Sequence, residues 1–141
     1  MKPEKILYED QKAVHDEIVK KIKKSFLNDV KEAYLIGSLA SGKFGRYNEK
    51  HEGEEGSDID LVVITDKIPK EWKYKGKFYN WHDLYLGKTI KINSTNHLIN
   101  YLIPFNLDIS IFWKKADEMN WKVEKLKWEQ NSYVQAKKEI F

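Results

Sequence analysis

Ser57-Asp58-Ile59-Asp60-Leu61-Val62-Val63-Ile64 is the stretch that decides the fold. Its apolar run is short, rich in β-branched residues and bounded by polar sequence, which reads as a strand. Side chains alternate across a strand, so Asp58 and Asp60 share one face while Ile59, Leu61 and Val63 take the other. The second set suits a core. The first sets two like charges side by side. At roughly 6 Å they repel by about 0.7 kcal/mol in a water-like dielectric and by about 3 kcal/mol at an effective dielectric near 20. A strand gains nothing from that repulsion, so the pair calls for a cation or for open solvent.

Upstream, Ala33-Tyr34-Leu35-Ile36 is a short apolar run that stops at Gly37-Ser38. It reads as a buried strand followed by a tight turn and then a helical segment. Before it, Val14, Ile18, Ile22 and Phe26 recur every four residues behind a capping Asp10, which predicts one amphipathic helix. Between the turn and the acidic strand lies a polar segment with Gly42, Gly45, Gly53 and Gly56, whose part from Glu49 to Glu55 is expected to be a mobile acidic loop.

Downstream, residues 65–83 read as irregular structure around Pro69 and Gly76, and Leu84 to Ile92 as extended chain. His97 to Leu102 is expected as a short helix ending before Pro104. Leu107-Asp108-Ile109-Ser110-Ile111-Phe112 alternates and reads as a strand carrying Asp108. The tail from Ala116 to Lys138 is expected to be mainly helical, with Trp121, Lys125 and Trp128 at helical spacing. The expected fold class is therefore α/β (α+β), a small mixed β-sheet flanked by helices, in a single domain over residues 1–141.

Composition narrows the function classes. The chain has 141 residues, 33% of them charged, a net charge of +3 and no cysteine. Disulfides and thiolate metal sites are excluded. No run approaches the ~18 apolar residues of a membrane span, and Met1 to Lys5 lacks the apolar stretch of a secretory signal. The expectation is a cytoplasmic protein with no membrane association. The mild positive charge permits a nucleic-acid partner without arguing for one.

The chemistry follows from donor type. Asp oxygens with open positions suit Mg²⁺ or Mn²⁺, whose other ligands are waters and substrate phosphates. The plain alternative for a bare Asp-x-Asp is a solvated strand start. Asp108 weighs against it: a third carboxylate on an adjacent strand would complete a two-metal cluster, although pairing with Lys or Arg would also satisfy it. Gly37 lets the backbone approach a phosphate, and backbone N–H groups with the Ser38 hydroxyl can hold phosphate oxygens. Lys43 and Arg46 are near enough in sequence to neutralise a triphosphate.

Taken together, these residues resemble the polymerase beta superfamily of nucleotidyltransferases, most closely its minimal single-domain members. Gly37-Ser38-Leu39-Ala40-Ser41-Gly42 is similar to the family's Gly-Ser-x-Ala-x-Gly, and Ser57 to Val63 is similar to its Ser-Asp-hydrophobic-Asp-Leu strand. Asp108 is similar to the third family acid. The resemblance implies transfer of a nucleoside monophosphate from a nucleoside triphosphate to an acceptor hydroxyl of a protein, an RNA end or a small molecule, with release of pyrophosphate. It implies that Asp58, Asp60 and Asp108 are catalytic and bind Mg²⁺ or Mn²⁺, and that Gly37 and Ser38 hold phosphates. It also leaves open a module working with a separate helical partner protein, as antitoxin to toxin, or one that binds nucleotide only. Two departures stand out. Nineteen residues separate Ser38 from Asp58, longer than the family's usual spacing, and the arginines often found at the positions of Leu39 and Ser41 are missing.

The remaining candidates read more plainly. A lone His97 before an apolar run could be catalytic but is more often a packing or surface residue, and His51 and His82 lack metal-ligand spacing. Trp72, Tyr74, Phe78, Tyr79 and Trp81 among lysines could stack bases, but read first as a core satellite. Trp121 and Trp128 are expected to cover the sheet or a subunit interface, which leaves a homodimer open.

Overall fold

The computed structural model describes residues 3–25, 30–65, 71–78, 81–104 and 109–126. The elements are β1 (Lys5–Leu7), α1 (Gln11–Ser25), β2 (Val30–Ile36), α2 (Gly37–Ser41), β3 (Gly45–His51), β4 (Glu54–Gly56), β5 (Ile59–Thr65), β6 (Lys73–Phe78), β7 (Trp81–Ile92), β8 (Thr95–Pro104), α3 (Ile109–Glu118) and β9 (Val123–Leu126). Six strands form one sheet in the order β6-β7-β8-β5-β2-β9. β5 and β8 run parallel and the other neighbours antiparallel, so the sheet is mixed and the fold is α+β, as the sequence predicts. Among the described residues no helix is long and apolar enough to cross a membrane.

The two faces of the sheet do different work. On one, Val14, Ile18 and Ile22 of α1 pack over Ala33, Leu35, Ile59, Leu61, Val63, Ile99 and Tyr101. Asp10 caps α1 by accepting the Ala13 N–H at 3.1 Å, and Lys23 and Lys24 stand in its last turn, where the helix dipole favours them. On the other face, Phe112 and Trp113 of α3 cover Tyr34, Val62, Ile64 and Trp81. The buried carboxylate of Glu32 accepts a hydrogen bond from the Tyr34 hydroxyl there. α3 covers one end of this second face and leaves Ile36, Asp60, Asn100 and Leu102 lining a pocket at the other.

Several local expectations are corrected. The acidic segment expected as a mobile loop is a β-hairpin: β3 and β4 pair, with His51 opposite Glu54. Glu52 and Gly53 both have positive φ, 51° and 81°, the signature of a type I′ turn. β1 pairs with β3 to complete a three-stranded sheet. Residues 73–78, expected as irregular, form β6; the Lys-x-Lys-x-Lys alternation is a solvent-facing strand, and Gly76 sits at a register shift. His97 to Leu102 is not a helix but the middle of β8. His97, Ile99 and Tyr101 are buried on one face, while Leu98 and Leu102 flank Asn100 on the other and, four residues apart, imitate helical spacing. Residues 109–112 are not a strand but the start of α3. Phe112, Trp113 and Ala116 are buried on a helical stripe, while Ile111, which a strand would bury beside Ile109, is 38% exposed. The tail is not one helix: β9 follows α3, and Lys125 lies opposite Tyr34 of β2. Phe26, Tyr79, Asp108 and Trp128 lie outside the described residues. Trp72 and Trp81 are core, as expected, whereas Tyr74 is 54% exposed.

The small sheet is seated on the large one at Gly56. A Cβ there would meet His97 Cε1 at 2.5 Å and Gly45 O at 2.7 Å, and the second contact is backbone. Gly56→Ala is therefore expected to cost about 1–3 kcal/mol, the range for overpacking a filled site. A urea denaturation midpoint equal to that of the wild type would show that the seat is slack.

Candidate active site

The acidic pair stands at the start of the central strand. Asp60 lies on β5 in register with Ile36 of β2 on one side and Asn100 of β8 on the other. Asp58 immediately precedes β5. Both are half-buried. Ser57 fixes the entry to the strand: its N–H donates to Gly45 O at 2.9 Å, and its hydroxyl accepts the Gly45 N–H at 3.1 Å. The spacing of the Ser-Asp-x-Asp stretch thus has a local cause, since Ser57 ties the strand to the hairpin while the two aspartates turn to the open face.

Asn100 was not singled out from the sequence. Its Nδ2 donates to Asp58 Oδ2 at 2.9 Å and to Asp60 Oδ1 at 3.1 Å. One nitrogen thus bridges the two carboxylates. Once β8 is read as a strand, an Asn two residues from Leu102 and Leu98 on the pocket face is the available signal. Asp83 of β7, Lys75 of β6 and Trp121 also line the pocket of about 260 Å³ that holds Asp60, Gly37 and Asn100.

Gly37 opens α2 against this pair. Its φ is +73°, and a Cβ would lie 2.9 Å from Asp60 Oδ2. Both the left-handed backbone and the close approach demand glycine. Ile36 gives α2 no side-chain cap, and first-turn N–H groups of a helix have no intrahelical partner. Ser38 directs its carbonyl to the Lys43 N–H at 2.9 Å, and Gly42, at φ +83°, ends the helix. Lys43 follows and is exposed. Arg46 is placed elsewhere: it projects from β3 into a second groove lined by Tyr8, Glu9, Asp10 and Glu17. Asp108 lies outside the described residues, and among the described residues no three His, Cys, Asp or Glu side chains gather as a metal cluster.

The donor set nonetheless fits a hard divalent cation. Two carboxylates converge, Asp58 Oδ1 is buried without a hydrogen-bond partner, and Gly37 leaves the space a Cβ would fill. Oxygen donors with room for phosphate and water are the Mg²⁺ or Mn²⁺ pattern.

His97 is fully buried, so of the two plain readings it is packing and not surface, and it also holds the site's frame. Its Nδ1 lies 2.8 Å from Ser57 O and its Nε2 2.8 Å from the Tyr8 hydroxyl. A carbonyl only accepts, so Nδ1 carries the proton and Nε2 accepts from Tyr8. Burial lowers the His97 pKa and keeps the ring neutral, against the opposing effect of the Ser57 carbonyl.

Residues 15–135 match the family described as nucleotidyltransferase domain, and the chain belongs to this polymerase beta-type family. General nucleotidyl transfer is the activity of that class. No curated protein and no solved structure matches the chain.

A pH dependence of stability follows from His97. Its folded pKa lies below the ordinary 6.5, so the unfolded chain takes up the proton first. Stability is therefore expected to fall as pH drops through 6.5 towards the folded value, and His97→Gln should remove that part of the fall. Parallel wild-type and variant melting curves between about pH 7.5 and 5.5 would contradict this.

Proposed function

We propose that the protein transfers a nucleoside monophosphate from a nucleoside triphosphate to an acceptor hydroxyl, with Asp58 and Asp60 holding Mg²⁺ or Mn²⁺. The observation that carries this reading is the convergence of Asp58 Oδ2 and Asp60 Oδ1 on one point, directly beside the glycine that opens α2. A cation bound there would neutralise phosphate charge and lower the pKa of the acceptor hydroxyl. Gly37 lets the triphosphate approach the backbone, and the Ser38 hydroxyl and α2 N–H groups hold its oxygens. Lys43 stands close enough along the chain to add charge. In this proposal Arg46 assists only at the periphery, since it faces the neighbouring groove.

Asp108 keeps the role of third carboxylate, activating the acceptor hydroxyl, as the family resemblance implies. The pocket bounded by Asp83, Lys75, Asn100 and Trp121 offers a mixed polar and aromatic wall next to Asp60 for the nucleoside or acceptor. The cytoplasm, where nucleoside triphosphates are abundant, is the setting that suits this chemistry.

Incubation with labelled nucleoside triphosphates, Mg²⁺ or Mn²⁺ and a panel of hydroxyl acceptors tests the assignment. Asp58→Ala and Asp60→Ala are each expected to lower product formation by on the order of 10²-fold or more, the scale of losing one preorganised electrostatic group. Equal labelling by wild type and both variants would remove these residues from the reaction.

A further inference from the structure

Resting on the metal assignment of Asp58 and Asp60, we propose that Asn100 is the stand-in for the cation: its amide nitrogen holds the carboxylate pair together in the cation-free protein and must turn aside when a divalent cation binds. The geometry is specific. Asn100 lies on β8 in register with Asp60 across the parallel β5–β8 pair, so both side chains leave the sheet on the same face. Its Nδ2 is 2.9 Å from Asp58 Oδ2 and 3.1 Å from Asp60 Oδ1. Carboxylates accept and do not donate, so the atom facing them is the NH₂ and not the carbonyl oxygen of the amide. Each of its two hydrogens meets one carboxylate.

This arrangement answers the repulsion that the sequence poses. Two half-buried carboxylates facing a common point need positive charge between them, and the positive end of an amide dipole supplies a weak version of it. A divalent cation supplies a stronger one at the same place. A cation seated between Asp58 Oδ2 and Asp60 Oδ1 would take the point that the nitrogen now holds, so the two occupants compete for it. The oxygen end of the amide offers little resistance to turning. Asn100 Oδ1 is buried without a hydrogen-bond partner, so the side chain is anchored by its nitrogen alone. Asn100 is thus a positioning residue that keeps the pair aligned, and it sets cation affinity below what the two carboxylates alone would give.

The test reads stability and binding rather than turnover. Asn100→Leu keeps the branched heavy-atom skeleton and removes both donors, and Asn100→Ala serves as the second variant should the bulkier Leu disturb packing. Without divalent cation, both are expected to melt about 5 °C below wild type, because the two carboxylates then lose the donor they share. Titration with Mn²⁺ alone, followed by calorimetry, is expected to show affinity about tenfold tighter than wild type. Unchanged or weaker Mn²⁺ affinity in both variants would overturn the proposal, and weaker affinity would make Asn100 a ligand instead. Asp58→Asn separates this from the underlying metal assignment. If wild type and Asp58→Asn show the same Mn²⁺ isotherm, the metal assignment fails and the stand-in role fails with it. If only wild type binds, the assignment stands and the Asn100 variants decide.

Discussion

Two carboxylates two residues apart on a strand constrain everything around them. Their strand is central, with β2 and β8 on either side, and its opposite face is filled by Ile59, Leu61 and Val63 beneath α1. Register therefore cannot slip: a shift of one residue would drive Asp58 and Asp60 into that core and expose the aliphatic row. The same register brings Asn100 and the Ile36–Gly37 junction to the two sides of Asp60. Site geometry is in this sense a by-product of core packing, with aliphatic burial holding two acids where they would not otherwise stay.

A second constraint acts on the strand entry. Ser57 is tied to Gly45 through both its backbone and its hydroxyl, and its carbonyl is held by His97. His97 is in turn held by Tyr8, just after β1. The long segment between the two family motifs is thus part of the support of the site. Its hairpin folds back so that Gly56 passes closely over His97. The departure from the usual family spacing adds a small sheet behind the acidic strand, and Arg46 turns with that sheet into a neighbouring groove.

The parts of the fold legible in the sequence were those where periodicity and chemistry agree. α1 announces itself by its four-residue apolar repeat and Asp10 cap, and β5 by its β-branched run. Gly37 was legible as a turn glycine at the end of a buried strand, and the structure adds its close approach to Asp60. β8 was misread because Leu98 and Leu102, four residues apart on one strand face, imitate a helical stripe. The start of α3 was misread because six residues can alternate and still lie on a helical stripe. The β3–β4 hairpin was hidden by its charge, although Glu52-Gly53 was a two-residue turn in plain sight. Asn100 was not legible at all: a neutral amide in an apolar run carries no signal until pairing places it beside Asp60.

The most direct measurement is a crystal structure grown with Mn²⁺ and a non-hydrolysable nucleoside triphosphate, with the metal located by its anomalous scattering. The expected result is an anomalous peak bonded to carboxylate oxygens of both Asp58 and Asp60, with the terminal phosphates at the start of α2 and the Asn100 amide turned from the pair. A triphosphate bound with its metal away from both aspartates would contradict the central claim.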